Sequence, residues 1–439
     1  TGLTRGILSF VDEHNRSRYA DGQLLRATSS LQTGRQLMRH KIAMMSVTGL
    51  VLSAGMMALN TSAAAPKKPG ADHYLKNVQT KGLKFQRIGR MSFAKQGILL
   101  IADTGNGSVV AIDTGDTGPA KELKKRVAGV DKLVGGALGT NAAGVQIVDM
   151  AVNQLSGRIY LSVIRKQDGI NALLTIDATG KVGSVNLAKA RHVRITLPGN
   201  GKAKVSNVTG VKLAGSRVLA AGQSGREFAS KIYSIPLPLE HGNSAAVYST
   251  ETFHVAHGRW ETRAPIQSFI PVQEKGKTFI VGSFACTPIA KFPVDGLKNG
   301  AKVKGTSVVE LGSGNRPVDM FVYKKSGKNW LVTNTDRFHH RNPNRRFGPS
   351  QYWGCRIDMK YLGATETNEQ AARRVVKYLG AKDTDVKSTR RFSKQKGPEG
   401  MEVIDILFGV KHIDQYDNDK VVVLRDNKGQ LDLEPAVLP

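Results

Sequence analysis

The chain has few of the residues and motifs that identify common enzyme classes. Its 439 residues include only two cysteines and three tryptophans. The CxxCH motif of covalently attached haem is absent, and so is the GxSxG motif of a serine nucleophile. HxH and HExxH spacings, which bind zinc, are missing as well. The sequence therefore indicates architecture and compartment more clearly than it indicates a reaction.

Amphipathic helices are scarce between the apolar runs. No helical pattern of about 10 to 15 residues separates the predicted strands, which excludes a parallel α/β architecture. The composition includes 47 glycines and 40% hydrophobic residues, as expected for a turn-rich β protein with a large core. An all-β globular fold follows.

Acidic residues are also few. There are 35 Asp and Glu against 64 Lys and Arg, which gives a net charge of +29. A charge of this size attracts anionic partners. We expect an anionic ligand or an acidic protein partner without specific nucleic-acid recognition. The alternative is that the charge serves solubility.

The N-terminal region has the order of a secretory signal peptide. From Met38 a basic start is followed by an apolar run to Leu59 and then by small residues up to Ala65. We predict a signal peptide over 38–64, with residues 1–37 as an upstream extension outside the mature protein. The mature chain would be periplasmic or secreted. An uncleaved signal anchor is the alternative, and no later apolar run is long enough to span a membrane.

Short apolar runs separated by Gly and Asn turns recur along the chain. Each repeat has three or four predicted strands, and the repeats begin near residues 91, 147, 207, 266, 316 and 401. Most intervals are about 50 to 60 residues, which is typical of propeller blades. We predict a six-bladed β-propeller, with a seventh, degenerate blade before residue 401 as the alternative.

The segments around the repeats complete the predicted organisation. Residues 83–439 form the propeller, and 65–82 form a linker in which 72–79 is a candidate closing strand beside the C-terminal strand. Within 367–383, Ala371, Val375 and Leu379 recur every four residues, which predicts one short helical insertion.

The basic stretch NTDRFHHRNPNRRFGPSQYWGC (334–355) follows a predicted second strand of a blade. In a propeller, the turn after each second strand lies on the same face as the segment leading into each inner strand. Guanidinium groups pair both oxygens of an oxyanion, so arginines on this face are candidate ligand-binding residues. They are Arg165, Arg226, Arg263, Arg316, Arg337, Arg341, Arg345 and Arg346. Solvated loop arginines are the alternative.

Several acidic and histidine side chains invite a metal interpretation. His339 and His340 are adjacent, with Asp336 nearby. Neighbouring residues on an extended segment point in opposite directions, so at most one would bind a given ion. No cofactor is assigned, and calcium or another divalent ion stays open. Asp319 and Glu402, at predicted inner-strand starts, are expected to join neighbouring blades through hydrogen bonds.

The two cysteines are candidates for a disulfide. Cys286 and Cys355 lie where neighbouring blades begin their third strands, and an even pair in an exported protein favours a bridge. Two separate buried thiols are the alternative, because a bridge requires Cα atoms within about 7 Å.

Three phrases resemble a family of exported bacterial proteins without an assigned activity: AHGRWETRAP, FACTPIAKFPVDGLKNGAKVKG and ELGSGNRPVDMFVYKKSGKNWLVTNT. More broadly, the blades resemble secreted bacterial propellers of the NHL and SMP-30/gluconolactonase-like kind. The resemblance implies a propeller fold and adds lactone hydrolysis to the activities to be tested.

Three functions follow from these observations. The first is an exported binding or scaffolding propeller that holds an anionic ligand or partner on its basic face. The second is a metal-dependent hydrolase or lactonase, and the third is a periplasmic redox accessory that docks an acidic cytochrome. A cluster of acids and histidines at the channel mouth would favour the second, whereas a basic rim without converging carboxylates would favour the first or third.

Overall fold

A computed structural model describes residues 70–254, 258–285, 288–311, 314–338, 350–363 and 401–439. These residues form a six-bladed β-propeller, which confirms the predicted fold. The upstream extension, the signal peptide, the predicted helix over 367–383 and the interval proposed for a seventh blade lie outside them. Among the described residues, no helix has the length and apolarity needed to cross a membrane.

Blades 1 and 2 are interleaved along the chain. The strands and the helix of this part follow in chain order: β1 (Leu75–Lys76), β2 (Ile88–Phe93), β3 (Ile98–Asp103), β4 (Ser108–Asp113), α1 (Val130–Ala137), β5 (Val145–Val152), β6 (Ile159–Arg165), β7 (Ile170–Ile176), β8 (Val182–Ser184) and β9 (Arg191–Thr196). Blade 1 is β2-β3-β4-β9 and blade 2 is β5-β6-β7-β8. The fourth strand of blade 1 is therefore added only after blade 2 is complete.

Blades 3 to 6 follow one another along the chain. Their strands are β10 (Val205–Ala214), β11 (Arg217–Ser224), β12 (Ser230–Pro236), β13 (Leu239–Glu240), β14 (Ala246–His254), β15 (Arg259–Glu261), β16 (Ile266–Glu274), β17 (Lys277–Phe284), β18 (Pro288–Pro293), β19 (Lys302–Lys304), β20 (Thr306–Glu310), β21 (Asn315–Lys325), β22 (Lys328–Arg337), β23 (Tyr352–Asp358), β24 (Met401–Val403), β25 (Val410–Asp417), β26 (Lys420–Asn427) and β27 (Gln430–Val437). Blade 3 is β10-β11-β12-β14-β15, blade 4 is β16-β17-β18-β20, blade 5 is β21-β22-β23-β24 and blade 6 is β25-β26-β27. Outside this order, β13 pairs with β1, and β19 pairs with β14 of blade 3. The inner strands are β2, β5, β10, β16, β21 and β25.

Hydrophobic clusters between neighbouring blades give the order of the blades around the ring. One cluster joins blade 2 to blade 1, the next joins blade 1 to blade 3, and the series continues through blades 4, 5 and 6 back to blade 2. The ring order is therefore 2-1-3-4-5-6. The second strand of blade 1, β3, has the sequence ILLIAD. It is buried along its whole length because blade 1 packs against a blade on either side.

The segment before blade 2 closes the ring. Val127 exchanges two backbone hydrogen bonds with Leu433 of β27, at 2.8 and 2.9 Å, and so supplies a fourth-strand contact to blade 6. Val130 and Val134 of α1 lie in the same buried cluster as Leu433. Residues between β4 and β5 thus add to the contacts that join blade 6 to blade 2.

The fold differs from the sequence predictions in three places. The segment around residue 75 does not lie beside the C-terminal strand, because β1 pairs with β13 and Gln79 bridges to His192. Met401–Val403 is the fourth strand of blade 5, so the inner strand of blade 6 begins at Val410. The α-helix of the described region is α1, which the sequence reasoning missed because its eight residues are too short for a clear helical period.

Asp432 of β27 fixes the ring closure by hydrogen bonds. Its carboxylate accepts from the Gly129 amide at 2.9 Å, from Gln430 at 3.0 Å and from Asn427 at 3.1 Å, and it pairs with Arg126. Burial alone would raise the pKa of Asp432, but these hydrogen bonds outweigh it and lower the pKa to about 2. The carboxylate therefore stabilises the closed ring in its charged form.

We predict that Asp432→Asn lowers the free energy of unfolding by about 2 to 3 kcal/mol near neutral pH, because a buried charged acceptor is lost. Since the folded pKa is depressed, the stabilisation is present above about pH 4 and is lost as the pH falls toward about 2. Urea unfolding of both proteins at several pH values measures this. Asp417→Asn, at an exposed position, is the control, and an equal effect of the two substitutions would contradict the prediction.

Candidate functional site

Each inner strand carries a register shift near its start. The shifts lie between Ile88 and Met91, Ile147 and Asp149, Val208 and Gly210, Ile266 and Ser268, Pro317 and Met320, and Val410 and His412. A β-bulge re-aims the side chains beside it. The six bulges therefore form one layer around the channel and direct polar side chains into it.

Four charged side chains from this layer meet inside the channel. We name Arg90, Asp149, Asp319 and His412 the channel cluster. Nη1 of Arg90 lies 2.7 Å from Oδ1 of Asp149 and 3.2 Å from Oδ1 of Asp319. Nδ1 of His412 lies 3.3 Å from an oxygen of each of the same two carboxylates. Two cations and two anions thus alternate at contact distance.

The backbone amides of the inner strands also bind these carboxylates. Asp149 accepts from the Met91 amide at 2.6 Å, and Asp319 accepts from the Ile413 amide at 2.9 Å. In each case the donor belongs to a neighbouring blade. The expectation that Asp319 joins neighbouring blades is confirmed. Glu402, by contrast, lies on β24 and pairs with Arg356 of the same blade, at 2.6 Å.

Mutual attraction shifts the pKa values within the channel cluster. Burial would raise the pKa of Asp149, but Arg90 and His412 outweigh it and lower the pKa to about 2. Burial would lower the pKa of His412, but Asp319 and Asp149 raise it to about 9. Asp149 and His412 are therefore both charged near neutral pH, and each is in contact with groups of opposite sign.

Arg90 reaches from one side of the channel to the other. It belongs to blade 1, and its Nη2 donates to the Val318 carbonyl of blade 5 at 2.8 Å. Blades 1 and 5 are opposite in the ring order 2-1-3-4-5-6. The side chain therefore divides the channel into two cavities and lines both of them.

One cavity opens at the end where the inner strands begin, which we name the top face. This top cavity has a volume of about 490 Å³, and its polar lining is Arg87, Arg90, Thr104, Ser206, Asn207, Thr209, Gln223 and Gln267. None of the lining residues that the structure describes is acidic. The other cavity, of about 320 Å³, opens at the opposite, bottom face and includes Asp149, Asp319 and Asp414 in its lining.

The structure separates the candidate arginines into groups. Arg226, Arg263 and Arg316 are exposed at the top face. Arg165 pairs with Asp168 at 2.7 Å and donates to the Leu138 carbonyl at 2.6 Å. Arg337 is not a rim residue: it is only 6% exposed and stacks over Trp353, at 4.9 Å.

Other sequence candidates lie inside the protein or outside the described residues. Asp336 is buried and accepts from Gln351 at 3.0 Å. Cys355 is buried in the core between blades 4 and 5, where burial raises the pKa of its thiol to about 12. The residues outside the described region are Cys286, His339, His340, Arg341, Arg345 and Arg346. The disulfide and the roles of these residues stay predictions.

Sequence reasoning missed Arg90, Asp149 and His412. A signal was available, because Val148-Asp149-Met150 and Val318-Asp319-Met320 repeat the tripeptide VDM at the same place in two inner strands. A charged residue at equivalent positions of two apolar strands indicates a shared interior site.

Comparisons with known proteins assign no family to the chain. No family model matches the chain, and no curated protein does. Similar solved structures include a Trichoderma reesei carbohydrate-active enzyme of family AA12, with 11% identity, a TM-score of 0.30 and coverage of 81% of this chain and 94% of that one. A PQQ-bound aldose sugar dehydrogenase from Streptomyces coelicolor has 11% identity, a TM-score of 0.26 and coverage of 82% and 97%. A putative gluconolactonase has 9% identity, a TM-score of 0.24 and coverage of 82% and 92%.

We predict that His412→Gln destabilises the protein in a pH-dependent way. The folded pKa of about 9 exceeds the ordinary value of 6.5, so the contribution of the imidazolium is complete below about pH 6.5 and is lost as the pH rises through about 9. The difference in unfolding free energy between wild type and variant should be about 2 to 3 kcal/mol near pH 6 and smaller near pH 10.

Urea unfolding across this pH range tests the prediction. His73→Gln, at an exposed position outside the channel, is the matched control and should change stability little at any pH. A destabilisation by His412→Gln that stays constant from about pH 6 to about pH 10 would show that the imidazole is not held charged.

Proposed function

We propose that the protein is an exported binding propeller that holds an anionic ligand in the top cavity. The observation that carries this proposal is the lining of that cavity, which combines arginine and side-chain amides with no acidic residue among those described. Guanidinium and amide N–H groups are donors suited to carboxylate, phosphate or sulfate oxygens. A ligand of this class would be small enough to enter the channel mouth.

Arg87 is the principal ligand-binding residue of the proposal. Its backbone is fixed because its amide donates to Asp103 at 3.0 Å and its carbonyl accepts from the Thr104 amide at 3.0 Å. Its side chain is exposed at the cavity mouth. Among the described residues, no carboxylate forms an ion pair with it. The fixed backbone limits the backbone entropy that is lost when a ligand binds, and the uncompensated guanidinium keeps its donors available to an anion.

The channel cluster would form the floor of the top cavity. Arg90 lines the cavity, but its charge is matched by Asp149 and Asp319. We infer that it supports the site and supplies little net attraction. Arg226, Arg263 and Arg316 lie farther out and would attract anions over a longer range, which affects association more than final affinity.

We predict that Arg87→Ser weakens the binding of citrate, used as a probe anion, by about tenfold or more, because a charged hydrogen-bond donor is lost. Replacing Arg226, Arg263 and Arg316 together by Ser should weaken binding less and should reduce its dependence on salt between about 50 and about 300 mM. Titration calorimetry at both ionic strengths measures the two effects.

The matched control replaces three exposed lysines at the bottom face, Lys181, Lys277 and Lys298, by Ser. It removes the same charge as the triple arginine variant from the other end of the channel. Citrate binding that falls equally in the control and in the arginine variants would indicate attraction by total charge, and the proposed site would then be wrong.

Metal-assisted hydrolysis is a second candidate because Asp149, Asp319 and His412 each offer a ligand atom within 4.8 Å of the others. However, the cluster lies within the channel, and Nη1 of Arg90 already contacts both carboxylates. A divalent ion would have to displace the guanidinium and the proton on His412. The geometry therefore supports the ionic cluster better than a metal site.

We predict that the purified protein carries no stoichiometric divalent metal at these side chains and that EDTA leaves its melting temperature unchanged, since Arg90 and His412 together already pair with the carboxylates. Elemental analysis and thermal unfolding with and without EDTA provide the measurement. One calcium or zinc ion per chain, lost in Asp149→Asn but retained in the exposed control Asp417→Asn, would favour the hydrolase instead.

A further inference from the structure

A second cationic hollow lies at the outer edge of blade 1, away from the channel. Its volume is about 590 Å³, and it is bounded by β9, the segment around residue 81 and the loop around residue 241. The basic side chains in its lining are Lys81, Lys84, His192, Arg194 and His241. No described residue of the lining is acidic. We name it the outer groove.

The backbone holds His192 rigidly in this groove. Its amide and carbonyl exchange hydrogen bonds with Gln79, each at 2.8 Å. His192 lies on β9, where its cross-strand partner is Ile112 of β4. The side chain is 5% exposed, and Nδ1 lies 3.0 Å from the Ala190 carbonyl. A carbonyl only accepts, so Nδ1 carries the proton. Nε2 therefore has a bare lone pair in the neutral ring, and no hydrogen bond to it is formed within the described part of the chain.

His241 has the opposite tautomer. Its Nδ1 accepts from the Arg194 amide at 3.2 Å, so the proton of the neutral ring must be on Nε2. The two rings lie 6.1 Å apart in an edge-to-face arrangement. Nε2 of His241 is thus a donor at any pH, whereas Nε2 of His192 becomes a donor only after protonation. This arrangement disfavours a metal ion, because Nδ1 of His241 is occupied as an acceptor and its Nε2 is protonated.

The remaining charges of the groove are positive. Arg194 is compensated by Asp103, at 2.7 Å, and its Nη2 donates to the Lys84 carbonyl at 2.6 Å. The side chains of Lys81 and Lys84 are exposed. The titratable and charged groups that face His192 across the groove are therefore His241, Arg194, Lys81 and Lys84. Burial, and then His241 and Arg194, lower the pKa of His192, so its ring is neutral near pH 7.

We propose that the outer groove is an oxyanion site of the sulfate and phosphate class, in which His192 protonates as the anion binds. Lys81, Lys84 and the Nε2–H of His241 would supply donors whether or not His192 is protonated. Protonated Nε2 of His192 would add a further donor in mild acid. The site is independent of the top cavity, and its ligand would bind more tightly as the pH falls.

Sulfate is the sharpest probe, because it keeps the same charge throughout the range in which histidine titrates. Titration calorimetry with sulfate should show about tenfold tighter binding near pH 5.5 than near pH 7.5, corresponding to a rise of about one unit in a histidine pKa on binding. Inorganic phosphate and glucose 6-phosphate at the higher pH then show whether the groove takes a bare oxyanion or one carried on a sugar.

Conservative substitutions test whether His192 causes the pH dependence of sulfate binding. His192→Asn keeps a donor near the position of Nδ1 and removes Nε2, so it should abolish the pH dependence while retaining the weaker binding near pH 7.5. His73→Asn, at an exposed position elsewhere, should leave both unchanged. Lys81→Gln with Lys84→Gln should weaken binding severalfold at both pH values, because these donors act independently of His192, whereas Lys181→Gln with Lys277→Gln should have no effect.

The proposal also makes a prediction that needs no variant. The pKa of His192, followed by NMR of the imidazole in the wild-type protein, should rise when sulfate is added, while that of His73 should not. Failure of sulfate, phosphate and glucose 6-phosphate to bind would overturn the proposal. So would a pH dependence that persists in His192→Asn, or a His192 pKa that sulfate does not change.

Discussion

The charge-neutral contact among Arg90, Asp149, Asp319 and His412 is the constraint on which the centre of this propeller depends. Four blades contribute to it, and the two carboxylates also accept backbone amides of neighbouring inner strands. Removing a single partner would leave an uncompensated buried charge, which costs more than the intact cluster contributes. The cluster therefore fixes how four inner strands approach one another and closes the channel between them.

The order of the blades brings a second set of joining contacts to the outer edge of the ring. Blade 2 follows blade 1 along the chain but lies on the side of blade 6, so the segment between β4 and β5 must pass blade 6 before blade 2 begins. Val127 pairs with β27 on this path, and Asp432 binds the Gly129 amide. An internal segment thus contributes to closure, in addition to the C-terminal residue Pro439, whose carbonyl accepts from the Tyr323 hydroxyl of blade 5 at 2.9 Å. The contact between His412 and Asp149 in the channel and the pairing of Val127 with Leu433 at the outer edge thus both hold blade 6 beside blade 2, at different distances from the channel.

The sequence predicted the propeller and its blade number because each inner and second strand is a short apolar run bounded by turns. The same pattern placed the start of five blades correctly, at residues near 91, 147, 207, 266 and 316. It failed at Met401, since a three-residue outer strand and an inner strand look alike in sequence when both are apolar. The blade order depended on which sheets pack together, and periodicity within a strand holds no information about that.

The site was harder to predict because a count of arginines does not distinguish compensated from uncompensated charge. Arg165 and Arg194 are matched by Asp168 and Asp103, and Arg337 is buried on an indole ring. These pairings join residues that are up to 91 positions apart in the chain. Total charge is therefore a poor guide to where an anion binds. What matters is where the fold leaves cations without a carboxylate, and in the described region the top cavity and the outer groove both meet that condition while the bottom cavity, lined by three aspartates, does not.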